Sequence, residues 1–194
     1  MSHDPATFSI RRGELADLPE LTVMFGEMGF SRLHGLGDRF VRLLHRHIVR
    51  SRHAVCFVAH DGQEILGYIA GATDGTKFAR GFVFRYGIPA AVLLLPKAVN
   101  RLRFKTIARC LTYFSENTAK HQAASGLAFA VRRSATRRGI GRALWNGLMD
   151  EYRRCRIESF TFLTAGDPTE PANAFYERIG CEFLGLESFY GDTK

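Results

Sequence analysis

The sequence of 194 residues has few of the features that mark secreted, membrane-spanning or metal-binding chains. Residues 1–7 carry neither the basic region nor the apolar core of a signal peptide, so we expect no secretion signal. The longest apolar run, residues 88–96, is far shorter than the ~20 residues that span a bilayer. The four cysteines are scattered, with no Cys-x-x-Cys pair and no histidine cluster at zinc spacing. These absences predict a cytoplasmic protein with reduced, mostly buried thiols and no metal site.

Two common phosphate-binding motifs are also missing. There is no Gly-x4-Gly-Lys-Ser/Thr, and Leu144 stands where a dinucleotide fingerprint would have its third glycine. Acidic residues are scarce in one segment: residues 76–122 contain nine basic side chains and only Glu116 as an acid. That segment therefore carries the whole formal charge of +8, and the rest of the chain is neutral.

The most informative stretch that is present is residues 127–145. It has the pattern of an apolar strand, a loop rich in arginine and glycine, and the start of a helix. Gly139 and Gly141 remove side chains where a ligand would approach the backbone. Three arginines add positive charge: Arg137, Arg138 and Arg142. Because a helix N-terminus presents unpaired N–H groups, the loop predicts a di-anion site, the alternative being a tight turn with solvated arginines.

Hydrophobic periodicity predicts the remaining elements. Strands are expected over residues 8–12, 54–60, 65–71, 126–131, 159–164, 181–184 and 187–190. Helices are expected over residues 14–28, 37–50, 139–154 and 167–180, with Asp167 as an N-cap. A surface position is expected for His45 and His47, which lie in a basic helical stretch. The element order predicts a single α/β domain of the α+β type over residues 1–194, with helices flanking a mixed, mostly antiparallel sheet.

This order, with the glycine loop after the fourth strand, resembles the GCN5-related N-acetyltransferase (GNAT) family. Residues 54–71 are similar to the family's central hairpin, and Gly139-Ile140-Gly141 follows the strand at the spacing of its acetyl-CoA loop. Residues 173–176, Asn-Ala-Phe-Tyr, and 180–183, Gly-Cys-Glu-Phe, match its last helix and the strand after it. The chain departs from the pattern at Thr136, where the family has Gln or Arg, and at Arg133, where it often has proline.

The resemblance implies an enzyme that moves an acetyl group from acetyl-CoA directly to a primary amine, without a metal. In such an enzyme the fourth strand separates from the fifth and pairs with the pantetheine arm, while the loop N–H groups hold the pyrophosphate. The coenzyme-binding residues so implied are Phe129, Ala130, Val131, Thr136, Arg137, Arg138, Gly139, Ile140, Gly141, Arg142, Asn173 and Tyr176. A non-catalytic module that binds nucleic acid or a membrane surface on the same fold is the alternative.

Tyr176 matches the residue that serves the family as general acid toward the departing thiolate. A core aromatic position is the alternative for Tyr176, and a solvent-facing polar position is the alternative for Asn173. The general base has no clear counterpart, because the fourth strand begins Ser125-Gly126 where many relatives carry a glutamate. Glu27 and His34 are the candidates for it, and surface positions are the alternative for both.

About 50 residues separate the third and fourth strands, which is too long for a structureless loop. Apolar residues at helical spacing predict a helix there: Phe104, Ile107, Leu111 and Phe114. The basic helical insertion over residues 76–122 could close over an anionic acceptor, form a homodimer arm, or contact a membrane or nucleic acid. An amphipathic helix that covers the sheet with a solvated basic edge is the simplest interpretation.

Overall fold

The computed structural model describes residues 8–27, 37–98, 124–164 and 171–185. The chain divides into two compact units, Met1–Thr161 and Phe162–Lys194. In the first unit, strands cover β1 Ser9–Arg12, β2 Ala54–His60, β3 Ile65–Ala72, β4 Ala124–Val131 and β5 Phe160–Thr161. Its helices are α1 Leu18–Glu27, α2 Asp38–Arg50, α3 Gly75–Ala98 and α4 Ile140–Arg154. The second unit contains α5, Pro171–Arg178.

The five strands form one sheet in sequence order. β1 through β4 pair antiparallel, and β4 pairs parallel with β5. Asp61 supports the β2–β3 turn, where its carboxylate accepts hydrogen bonds from the backbone N–H groups of Gln63 and Glu64 at 3.0 Å. The predicted fold class, a mostly antiparallel sheet flanked by helices, is therefore confirmed.

The core lies on both faces of β3, whose eight residues are all buried. On one face Tyr68 and Ala70 pack in a cluster with α1 and α2 residues such as Leu21 and Val41. On the other face β3 presents glycines to α4. A Cβ added at Gly67 would meet the Ala130 carbonyl oxygen at 2.8 Å, so this position requires glycine.

Burial of two histidines corrects the predicted surface position. His45 and His47 are only 1% and 5% exposed. The Nδ1 of His45 lies 2.9 Å from the Val41 carbonyl oxygen and its Nε2 lies 3.1 Å from the Tyr68 hydroxyl. Because a carbonyl only accepts, Nδ1 donates to Val41 and the neutral Nε2 accepts from Tyr68. Burial lowers the pKa of His45 to about 4. The prediction was wrong because the arginines within α2 suggested a solvent-facing helix, although one side of the helix faces the core.

Predictions for the later strands and for one cysteine differ from the structure. β5 has two residues instead of the six predicted, and residues 181–185 are not in a strand, with Phe183 78% and Leu184 72% exposed. Alternation alone suggested that last strand, but a strand also needs a partner to pair with. Cys56 is buried as expected, whereas Cys155 is exposed.

A helix in the insertion is confirmed for its first half, α3, which begins directly after β3. The helix predicted from residues 104–114, the strand at 187–190, and the positions of His34, Cys110 and Asp167 lie outside the described residues.

Candidate active site

The site begins where β4 reaches the edge of its pairing with β5. The parallel ladder joins Ala124 with Phe160 and Ser125 with Thr161, and β4 then continues to Val131. On its other side β4 stays paired with β3, with Ile69 opposite Phe129 and Gly67 opposite Val131. The chain therefore enters the loop directly from a strand that is paired with β3.

The loop after β4 turns sharply through two left-handed residues. A short 3-10 turn, Arg133–Ala135, follows the strand. Arg137 then has a φ of 61° and Gly139 a φ of 81°. A Cβ added at Gly139 would meet nothing within 4 Å, so glycine here serves the backbone conformation and leaves the space in front of it open.

The start of α4 presents backbone donors at this place. The first hydrogen bond of the helix runs from the Ala143 N–H to the Gly139 carbonyl oxygen at 3.0 Å. The N–H groups of Ile140, Gly141 and Arg142 therefore precede the helical ladder and point out of its N-terminus. Together with the positive end of the helix dipole they form a surface suited to an anion.

Exposed arginines surround this helix end: Arg133, Arg137, Arg138 and Arg142. The Asp61 pKa lies below its usual value, mainly because the N–H groups of Glu64 and Gln63 donate to the carboxylate, and the charge of Arg138 adds to this effect. Arg138 is therefore close enough to the β2–β3 turn to act on it electrostatically. The net charge of the loop remains strongly positive.

Thr136, at a position predicted to bind phosphate, has its hydroxyl turned toward the loop itself. Its Oγ1 donates to the Arg133 carbonyl oxygen at 2.9 Å and holds the 3-10 turn closed. The hydroxyl oxygen can still accept a hydrogen bond, but its proton is engaged within the loop. In this structure Thr136 therefore shapes the loop.

Arg132 has a positioning role that the sequence did not reveal. Its Nε donates to the Ile65 carbonyl oxygen at 2.6 Å and its guanidinium pairs with Glu20 of α1 at 3.3 Å and with Glu64 at 3.6 Å. Its backbone N–H also donates to Leu66 at 2.8 Å. Glu20 lies 112 residues earlier in the chain, so no local pattern could have indicated this anchor.

In the second unit, Tyr176 lies in an aromatic environment on α5. Its ring centroid is 5.6 Å from that of Phe162 and 5.7 Å from that of Phe175. Burial raises the pKa of the Tyr176 phenol, which keeps it protonated at neutral pH. Asn173 is partly buried one turn earlier on the same helix. The helix closes at Gly180, whose φ is 87°, as the sequence predicted.

Glu27, the candidate base, is the exposed last residue of α1. It borders an open depression of about 300 Å³ that is also lined by Thr22, Val23, Gly26 and Asp38. These residues come from α1 and the first turn of α2, and the arginine loop is not among them. The structure therefore places Glu27 beside this depression but does not bring it to the arginine loop after β4.

Two features are absent from the described part of the chain. No group of three or more His, Cys, Asp or Glu side chains there is arranged to hold a metal ion. Among the same residues, no helix combines the length and the apolar character needed to cross a bilayer.

The sheet leads through a glycine loop into a helix N-terminus, an arrangement that is suited to an anion. The model of the acetyltransferase (GNAT) family matches residues 27–181, which is more than half of the chain, and the protein belongs to that family. No curated protein sequence matches the chain significantly.

Solved structures share the fold at low sequence identity. The aminoglycoside 6'-N-acetyltransferase AAC(6')-Iy, in complex with a CoA bisubstrate analogue, aligns with a TM-score of 0.62 and 12% identity, covering 97% of this chain and 99% of the other. AAC(6')-Ih from Acinetobacter baumannii gives 0.61 and 11%, with the same coverages of 97% and 99%. A ribosomal-protein-alanine N-acetyltransferase from Brucella melitensis biovar Abortus 2308 gives 0.55 and 14%, covering 94% and 96%.

Proposed function

We propose that the protein is an N-acetyltransferase that uses acetyl-CoA and acetylates the primary amine of a small molecule by direct transfer. The observation that carries this proposal is the N-terminus of α4, where donor N–H groups begin at Ile140 and exposed arginines surround an open, glycine-lined approach. This arrangement suits a pyrophosphate, and membership of an acetyltransferase family indicates which pyrophosphate it is.

The binding role falls mainly on backbone groups. In this proposal the N–H groups from Arg137 to Arg142 hold the pyrophosphate, and the arginine side chains neutralise its charge. The backbone of β4 from Phe129 to Val131 is proposed to lie along the amide groups of the coenzyme arm. The coenzyme supplies an activated thioester, and the protein supplies orientation.

Two proton transfers remain for side chains to carry out: one from the amine and one to the departing thiolate. A primary amine is protonated near neutral pH, so a base must take a proton from its nitrogen before it can attack. Glu27 is the candidate for this base, directly or through water, because its carboxylate borders the depression at the end of α1. Tyr176 is the proposed acid, since a phenol with a raised pKa retains the proton that the departing thiolate sulfur needs.

Calorimetric titration with coenzyme A tests the proposal. We expect the wild-type protein to bind the coenzyme and Gly141→Glu to lose that binding, because a carboxylate at the helix N-terminus would repel the pyrophosphate. Asn146→Glu, on the exposed side of α4, adds the same charge farther along the helix and should retain the affinity. Absence of binding at millimolar coenzyme, or equal affinity in both variants, would contradict the proposal.

Thiol release in a screen of amine classes then identifies the acceptor. Amino sugars, polyamines, amino acids and peptide N-termini are compared at equal concentration. A class that gives turnover in wild type and none in Gly141→Glu is the acceptor class. If coenzyme binds but none of the classes releases thiol, the acetyltransferase proposal fails while the coenzyme site stands.

A further inference from the structure

α3 is apolar on two opposite sides. One side is buried, with residues spaced four apart along the helix: Phe78, Phe82, Tyr86, Ala90 and Leu94. This side packs against α2, where the ring centroid of Phe82 lies 6.0 Å from that of Phe40 and 5.5 Å from that of His47. These contacts involve only this side of the helix.

The opposite side is exposed. Phe84 is 95% exposed, Ile88 81% and Val92 59%, and they too are spaced four apart, with Val83 51% exposed beside them. We call these four residues the outer face of α3. A helix that is apolar on both sides is normally covered on both sides. Large apolar side chains that form a continuous stripe on the surface mark a contact with another phase or molecule.

Basic side chains flank the outer face. Lys77, Arg80 and Arg85 are all exposed. Lys77 is paired with Asp74 at 2.8 Å, whereas in the described part of the chain no carboxylate pairs with Arg80 or Arg85. The same segment of the sequence holds the entire +8 charge of the protein. The surface that covers this face must therefore be both apolar and negative.

Charge distinguishes between the molecules that could cover the outer face of α3. A second copy of the chain would bring the same arginines toward one another, and residues 99–123 of this chain carry five basic residues and one acidic residue. Both would place like charges opposite Arg80 and Arg85, which is unfavourable. A nucleic acid supplies negative charge but no apolar layer for Ile88 and Val92. An anionic lipid surface supplies both.

We propose that the outer face of α3 docks the protein on an anionic membrane surface. The helix lies in the plane of the interface, with Phe84, Ile88 and Val92 among the upper acyl chains. Arg80 and Arg85 lie at the level of the lipid phosphates. This docking does not depend on acetyl transfer and holds the protein at the surface without crossing the bilayer.

Flotation with lipid vesicles tests the proposal on the full chain. We expect binding to vesicles of phosphatidylcholine with about one third phosphatidylserine, and much weaker binding to phosphatidylcholine alone. Arg80→Gln/Arg85→Gln should weaken binding to the anionic vesicles by roughly thirtyfold, about fivefold for each charge. Phe84→Ser/Ile88→Ser should abolish it, and both changes leave the core intact because these side chains are exposed.

Matched variants control for general loss of charge or apolar surface. Arg153→Gln/Arg154→Gln removes two exposed charges from α4, and Phe183→Ser removes an exposed phenylalanine, 78% accessible, from the second unit. Both should bind vesicles as wild type does. Phe84→Trp should bind and shift its emission to shorter wavelength on anionic vesicles. Trp145, the one native tryptophan, is buried and gives a constant background.

Four results would overturn the proposal. One is no binding of the wild type to anionic vesicles, and another is equal weakening in the α3 and control variants. A third is a dimer in sedimentation equilibrium that Phe84→Ser/Ile88→Ser dissociates, which would make a second copy the occupant. The fourth is tight binding to single-stranded nucleic acid that the same variant loses while vesicle binding is unaffected.

Discussion

At the scale of single residues, the role proposed for the loop after β4 depends on its backbone. Gly139 adopts a left-handed conformation, and the donors of α4 begin one residue later. The exposed arginines add positive charge around these donors. Residues that would bind a ligand through backbone N–H groups are hard to predict from side-chain chemistry, and here the glycine spacing was the signal on which the prediction rested.

Tyr176 provides the most direct test of a side-chain role. Tyr176→Phe removes the proton proposed for the departing thiolate but keeps the aromatic packing with Phe162 and Phe175. We expect turnover to fall about 100-fold or more, with coenzyme affinity nearly unchanged, as measured by thiol release and calorimetry. Tyr86→Phe, which removes a buried hydroxyl from α3, should keep wild-type turnover. Unchanged turnover in Tyr176→Phe would remove this residue from the mechanism.

His45 predicts how stability depends on pH. Its pKa is about 4 in the folded protein and about 6.5 when unfolded, so the unfolded chain binds the proton more tightly. Stability should therefore be complete above the unfolded value and fall as the pH decreases from about 6.5 to 4. Between pH 7.5 and 5 the loss should be about 2 kcal/mol, and burial lowers the pKa of His47 in the same direction.

Urea unfolding at the two pH values measures this loss. His45→Gln should reduce the difference between them, whereas the control His53→Gln, at a partly exposed histidine, should keep it. A difference that disappears in His53→Gln and persists in His45→Gln would show that another histidine is responsible.

At the scale of elements, close packing of α4 on β3 organises the sheet. The Tyr152 hydroxyl lies 3.2 Å from the Ala72 carbonyl oxygen and 3.0 Å from that of Ser125, joining the ends of β3 and β4. Ser125 is also where the pairing with β5 ends. The tyrosine therefore supports the point at which the pairing of β4 with β5 ends, while β4 continues beside β3 toward the loop.

Gly71 makes this contact possible. In Gly71→Ala the new Cβ would overlap the Tyr152 hydroxyl and lie 3.0 Å from Leu148, so we expect a loss of about 1–3 kcal/mol in unfolding free energy. Gly147→Ala on α4 is the matched control, because its Cβ would be 3.7 Å from the Phe57 ring. That change should stabilise the helix by up to about 1 kcal/mol. Thermal unfolding of both variants shows whether the loss of stability comes from the lack of space at Gly71 or from the replacement of any glycine.

The elements themselves were largely predictable. β2, β3, α2 and α4 carry strong periodicity or turn signals, and their observed bounds lie within a residue or two of the predicted ones. The roles of His45 and Arg132 were not predictable, because burial and pairing depend on partners far away in sequence. The exposed outer side of α3 was also missed, since a helix with apolar residues on two opposite sides does not show the periodicity of a single apolar face.

At the scale of the whole molecule, the charge is divided unequally. The insertion holds the full +8 while the acetyltransferase fold around it is neutral. The two proposals therefore concern different parts of the chain: coenzyme binding is proposed for the glycine loop, and membrane docking is proposed for the insertion.

The contacts of Arg132 connect the loop after β4 with α1. Its guanidinium fastens the start of the loop to α1 through Glu20 and to β3 through the Ile65 carbonyl. A ligand that orders the loop should therefore also slow amide hydrogen exchange in α1, the helix whose end borders the depression beside Glu27. Arg132→Gln should abolish this remote protection while the loop amides stay protected. If the amides of α1 are still protected in Arg132→Gln, the loop and α1 are coupled through the sheet instead. Because such coupling is reciprocal, the proposed amine substrate, bound beside α1, would raise the affinity of the loop for the proposed coenzyme, and the two would bind cooperatively.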